Sequence, residues 1–254
     1  MASKDSTVGT IVVAVVLCIV CSVIVSTAAV MLKPAQQANK QKDFQGSILA
    51  AAGLLQADKT VEEQFESVTT KLVDLDSGKY TDGDPKQFDQ RQAAKDPATS
   101  EELSDSEDLA KISRRENTSA VYLINNDVGD LDKIILPIRG YGLWSTLYGF
   151  IALESDLNTI AGIGFYEHGE TPGLGGEVDN PRWKQIWIGK EIYDDQGDVS
   201  IKVIKGQASP NDDYAVDGLS GATLTSKGVN NLVQFWLGEE GFKSYLSNLK
   251  EGDA

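Results

Sequence analysis

Residues 217–226, DGLSGATLTS, gather hydroxyl groups where no bulky side chain stands. Ser220, Thr223, Thr225 and Ser226 flank Gly221 and Ala222. An apolar segment of helical spacing follows, with Val229, Leu232, Val233 and Trp236 on one face. Two chemistries suit such a strip. Hydroxyls cap helices by accepting from free backbone N–H groups. The same N–H groups, at the positive end of the helix, attract phosphate, which a hydroxyl can hold by hydrogen bonds or carry as an ester. Small neighbours would let a second enzyme reach that hydroxyl.

Two further glycine-bearing stretches could carry chemistry. In residues 167–181, EHGETPGLGGEVDNP, Pro172 fixes φ while Gly173, Gly175 and Gly176 open backbone shapes closed to other residues. Bare N–H groups there could lie against a flat ring or an anion, or the stretch could be an ordinary turn between strand and helix. In RGYGLWSTLYG, Gly140 and Gly142 follow an apolar strand, but Ser145 stands where a dinucleotide fingerprint has its third glycine, and a strand rather than a helix comes next. No G-x-x-x-x-G-K-[ST] phosphate loop occurs. Cys18 and Cys21 both lie in the N-terminal apolar run, so the rest of the chain can form no disulfide, iron–sulfur cluster or C-x-x-C-H haem. His168 is the single histidine, which excludes a multi-histidine metal site. No metal ligand set and no catalytic group of this chain's own is expected. Redox chemistry would need an organic cofactor.

The elements that must position these loops follow from periodicity. From residue 119, SAVYLI, LDKIILPIRG, YGFIALE and IAGIGFYE read as strands separated by turns. DNPRWKQIWIG reads as a helix with Asp179 or Asn180 as cap and Pro181 at its first position. VSIKVIKG is a further strand. Thr60 and Glu63 form a capping-box pattern, and KLVDLDSGKY reads as a strand or hairpin. Residues 84–117 are polar, with few large apolar side chains, and read as surface helices and loops. The fold class is α+β: a 1–10 tail, a transmembrane helix over 11–32, a helical or irregular arm over 33–117, and a 118–254 domain with a mainly antiparallel sheet flanked by helices.

Residues 11–32 contain no charge, and at 1.5 Å per residue they reach about 33 Å, enough to cross a hydrocarbon core. This exceeds the h-region of a cleaved signal peptide, so the segment is expected to be a retained anchor. Formal charge is −15, and it lies beyond residue 32, which argues against a nucleic-acid partner. Lys4 and the amino group precede the span, whereas Lys33, Lys40 and Lys42 follow it. Counted alone, these lysines favour a cytoplasmic domain.

The two motifs together resemble the covalent flavin-binding domain family. D-G-L-S-G-A-T over 217–223 is similar to its flavinylation motif, and H-G-E-T-P-G-L-G over 168–175 to its second hallmark, in the expected order. With GYGLWS and the single span, the chain resembles the C subunits of Na+-translocating NADH:quinone oxidoreductases. The flavin-bearing G subunits of Rnf-type ferredoxin:NAD+ complexes share both motifs but usually have a shorter arm. The resemblance implies FMN in phosphodiester linkage to Thr223, with Asp217, Ser220, Gly221 and Ala222 around it. It also implies that the 170–175 turn packs beside the isoalloxazine, Leu174 against the ring and Glu170, Thr171 and Gly173 beside it. Trp144 is a candidate second wall, or else core packing. Further implications are a separate FAD:protein FMN transferase, companion subunits, electron relay towards quinone coupled to Na+ export, and a flavin domain on the periplasmic side of a bacterial inner membrane. That placement opposes the lysine count. A membrane-anchored scaffold with only a hydroxyl cap is the non-redox alternative.

Overall fold

The structure is a computed structural model that describes residues 6–254. Its chain divides after Asp43 into two compact units. Met1–Asp43 contains most of helix α1, Thr7–Ala51. The helix is long and apolar enough to cross a membrane, and it fits a single-pass anchor. Lys4 and the first half of the expected 1–10 tail lie outside the described residues, and residues 7–10 are already helical. The helix continues through KPAQQANKQK, past residue 32 where the span is expected to end. Pro34 sits inside it, costing one backbone hydrogen bond without ending it.

Phe44–Ala254 is built on one sheet. A short helix α2 (Val61–Phe65) is closed by the Thr60–Glu63 capping box that the sequence predicts. Strands β1 (Val68–Asp74) and β2 (Lys79–Tyr80) form the predicted hairpin. Helix α3 (Gln90–Ala93) and the paired strands β3 (Ser100–Glu102) and β4 (Arg114–Glu116) follow. Then come β5 (Thr118–Asn125), β6 (Leu131–Tyr141), β7 (Thr146–Glu154) and β8 (Ile160–Glu167). The six-stranded order is β2-β1-β5-β6-β7-β8, antiparallel throughout.

Successive residues of a strand face opposite sides of the sheet, and both sides here are covered. From β6, Ile134, Leu136 and Ile138 join the core formed with Trp183, Trp187, Val229, Leu232 and Trp236. Ile135 points the other way, with Tyr122, Phe150, Ala152 and the α1 residues Ile48 and Ala51. Such two-sided burial explains the nearly unbroken apolar runs of the central strands. On the first side lie α4 (Pro181–Gln185), the parallel pair β9 (Lys202–Ile204) and β10 (Ala215–Asp217), then α5 (Thr223–Trp236) and α6 (Lys243–Glu251). Asn180 caps α4 by accepting from the Arg182 N–H at 2.9 Å, with Pro181 at the first position.

The segment over 33–117 differs from the arm expected there. β1 pairs with β5 from Val68–Ile124 to Asp74–Thr118, so it is part of the central sheet rather than a layer packed on a 118–254 domain. The polar stretch 84–117 is also not merely surface. Arg115 and Glu116 are buried: Arg115 pairs with Asp76 and Glu101, and Glu116 pairs with Arg139 and accepts from Gln90 Nε2 at 2.5 Å. Paired side-chain charges, together with a few apolar residues such as Ala110, knit this region, which composition alone does not reveal.

Candidate flavin site

Three loops meet where β10 runs into α5. The first is the hydroxyl-rich strip. Asp217 ends β10; its Oδ1 accepts from the Ala208 N–H at 2.7 Å and its carbonyl from Trp183 Nε1 at 2.8 Å. Its carboxylate therefore ties the 206–208 loop to the end of β10. Gly221 has φ of +73°, the left-handed region that glycine enters without strain. The Ala222 N–H donates to Leu219 O at 3.1 Å, and Ser226 Oγ accepts from the Leu219 N–H at 2.9 Å while donating to Ala222 O at 3.0 Å. One hydroxyl thus staples the turn.

Ala222, not a serine or threonine, occupies the N-cap of α5, and no side chain caps that helix. The ordinary capping explanation of the strip therefore fails, and the first-turn N–H groups have no side-chain acceptor. Thr223 is the first helical residue and its side chain is exposed; Ser220 is also exposed. Thr225, two residues on, is fully buried and donates to Glu170 Oε2 at 2.6 Å. Beside Thr223 runs an open cleft lined also by Lys205, Lys227, Ser226 and Asn230. Neither lysine is in an ion pair among the described residues. Sequence reasoning missed both; the spacing of Lys227 four residues after Thr223, on the same helix face, is the signal that could have found one.

The second loop is the glycine turn. Gly173 has φ of +76°, and Thr171 O accepts from the N–H groups of Leu174 at 3.1 Å and Gly176 at 2.9 Å. Leu174 is 45% exposed and lies against the first loop: a Cβ on Gly221 would sit 3.1 Å from Leu174 Cδ2. Thr171 is exposed as well. His168 Nδ1 accepts from the Glu170 N–H at 3.2 Å, so the ring proton is on Nε2, which meets Asp179 Oδ2 at 2.8 Å. His168 orients the turn.

The third loop joins β6 to β7. Trp144 is 66% exposed, which excludes core packing and leaves it free to face a ligand. Glu170, by contrast, is only 5% exposed. Its Oε1 accepts from the N–H groups of Leu143 and Trp144, both at 2.9 Å. Both its oxygens are engaged by protein donors, Oε1 by the two amides and Oε2 by the Thr225 hydroxyl. Burial pushes this carboxyl up, but the bonds from Thr225, Trp144 and Leu143 together outweigh burial and hold it below the usual glutamate range.

An exposed, uncapped hydroxyl turn with an exposed leucine against it, on an antiparallel sheet covered on both faces, is the arrangement expected of a flavin-binding domain. An FMN-binding domain family model matches residues 142–238, which contain all three loops. The chain is 56% identical to the C subunit of the Na(+)-translocating NADH-quinone reductase of Pseudomonas aeruginosa, over the whole of both chains. It is 50% identical to the C subunit of the same enzyme from Yersinia pestis, over 98% of this chain and 96% of that one. The crystal structure of Shewanella oneidensis NqrC superimposes with a TM-score of 0.79 at 40% identity, covering 84% of this chain and 99% of that one. The chain belongs to the NqrC family, the C subunits of Na(+)-translocating NADH-quinone reductases. Of the two membrane complexes that the motifs allow, the relatives bear the name of the first.

Proposed function

We propose that Thr223 carries FMN as a phosphodiester and that the chain relays electrons within a sodium-translocating NADH:quinone reductase. One observation carries this reading: of the hydroxyls in the strip, Thr223 is both exposed and at the uncapped start of α5, while Thr225 is buried and bonded. Attachment forms a bond from Thr223 Oγ to the FMN-side phosphorus of FAD and breaks the diphosphate, so that AMP leaves and the threonine proton is lost. A separate transferase catalyses it, and the small residues Gly221 and Ala222 leave its approach clear.

FMN, when bound, supplies the capacity to accept and donate electrons. The residues of this chain do the rest. The first-turn N–H groups of α5 favour the remaining negative charge of the phosphodiester. Lys205 and Lys227 line the adjoining cleft and add positive charge in a chain of formal charge −15. Leu174 and Trp144 offer apolar surface to a flat ring. The tether keeps the cofactor in place while companion subunits are exchanged as electron partners. No nicotinamide fingerprint occurs, so NADH is oxidised elsewhere in the complex. The transfer is coupled to Na+ export, and the flavin domain stands on the periplasmic side, against the weak lysine bias.

Intact mass of the chain co-expressed with the transferase tests the attachment. Wild type and Thr225→Val should gain the mass of one FMN, and Thr223→Val none. FMN retained by Thr223→Val would overturn the assignment.

A further inference from the structure

We propose that Glu170 is the positioning residue of the flavin site: one buried carboxylate that sets the tryptophan loop, the glycine turn and the first turn of α5 in mutual register. The inference rests on the reading of Thr223 as the flavin carrier and gives Glu170 a role distinct from ligand contact.

Glu170 lies in the glycine turn, yet its bonds leave that turn. Oε1 reaches the backbone N–H groups of Leu143 and Trp144 in the β6–β7 loop, and Oε2 reaches Thr225 Oγ1 in α5. The space around the carboxylate is shaped to it from both sides. A Cβ on Gly142 would stand 2.6 Å from Oε1, and one on Gly175 would stand 2.5 Å from both Oε2 and Thr225 Oγ1. Any larger residue at either place would displace the carboxylate or the hydroxyl. These glycines are therefore required for close approach to Glu170, and neither has a positive φ. The three loops bear the exposed Trp144, the exposed Leu174 and the exposed Thr223. Glu170 is bonded to the backbone of Trp144 itself and to the Thr225 hydroxyl two residues after Thr223, from within the turn that carries Leu174. No cation neutralises it among the described residues; its partners are two amides and one hydroxyl, and its ordinary ionised state supplies the acceptors they need.

The test uses the full-length chain, unloaded and transferase-treated. In Glu170→Ala, hydrogen exchange at the amides of Leu143 and Trp144 should rise at least tenfold in the unloaded chain. In the loaded chain, flavin fluorescence anisotropy should fall at temperatures well below the melting transition. A side chain that only stabilised the fold would lower the melting temperature without freeing the flavin. Glu170→Gln keeps an oxygen for the two amides and can donate to Thr225 Oγ1, so its exchange should stay within about threefold of wild type. Should Glu170→Ala fail to fold, Glu170→Asp replaces it: one methylene shorter, it cannot span both sides and should show the tenfold rise. Unchanged exchange and anisotropy in the alanine or aspartate variant would overturn the proposal. Absence of FMN from the wild-type chain would instead sink the carrier reading, and the exchange result on unloaded protein would still decide the role of Glu170.

Discussion

Two buried glutamates organise two different regions. Glu116, fully buried, stands in the polar segment before β5, where it faces the Arg139 guanidinium and accepts from Gln90. Glu170 stands under the three glycine- and hydroxyl-rich loops, where its partners are backbone amides and a threonine hydroxyl. The first carboxylate is matched by an opposite charge and serves the fold. The second keeps its charge without a counter-ion and serves the shape of a surface. A buried acid held by neutral donors is a more informative pointer to a site than one closed in an ion pair.

The sharpest way to break this contrast is Glu116→Ala. It leaves Arg139 buried without its partner, so the full chain should lose about 3–5 kcal/mol by denaturant unfolding. Loading of FMN on the folded fraction should persist. A loss below about 1 kcal/mol would put Glu116 with the surface pairs instead. Next is Gly175→Ala. Its new methyl overlaps Glu170 Oε2 and Thr225 Oγ1, and overpacking of this kind costs about 1–3 kcal/mol. Flavin anisotropy should drop at the same time, because the insult falls on the junction of the loops.

The acid response gives a smaller, signed effect. The folded-state pKa of Glu170 lies below its ordinary value of 4.5, so its contribution is complete above that value. That contribution is lost as pH falls through the lower folded value, where the native carboxylate is protonated. Melting curves of wild type and Glu170→Gln should thus converge on acidification below about pH 4.5, with the wild type the more pH-dependent of the two. Parallel curves would remove the ionised carboxylate from the account. Smallest in stability is Trp144→Ala: a side chain 66% exposed should change unfolding by less than about 0.5 kcal/mol. If Trp144 covers the ring, the same variant should brighten flavin fluorescence by removing an aromatic neighbour.

Much of this organisation is legible in the residues. The strand runs from 119 onward, the Thr60 capping box and the Pro181 helix start follow from local rules, and the structure has each of them. The three loops stand out as glycine and hydroxyl clusters, and in the structure they meet. What stays hidden is long-range. Nothing near Glu170 in sequence shows that its carboxylate reaches residues 143, 144 and 225, because those contacts depend on how β6, β7 and α5 come together. Nor does the low apolar content of 84–117 reveal Arg115 and Glu116 as interior residues, since burial there comes from paired charges. The continuity of α1 to Ala51 escapes for the opposite reason: Pro34 and the polar run after it favour a break locally, and helix propagation on both sides prevails.

The central claim is that a single oxygen, Oγ1 of Thr223, bears the cofactor. Peptide mapping by mass spectrometry of the transferase-treated, full-length chain tests it most directly. The account predicts FMN on the peptide containing residues 217–227, with fragmentation placing it on Thr223 and leaving Ser220, Thr225 and Ser226 unmodified. An unmodified peptide, or FMN on any other hydroxyl of that strip, would contradict it.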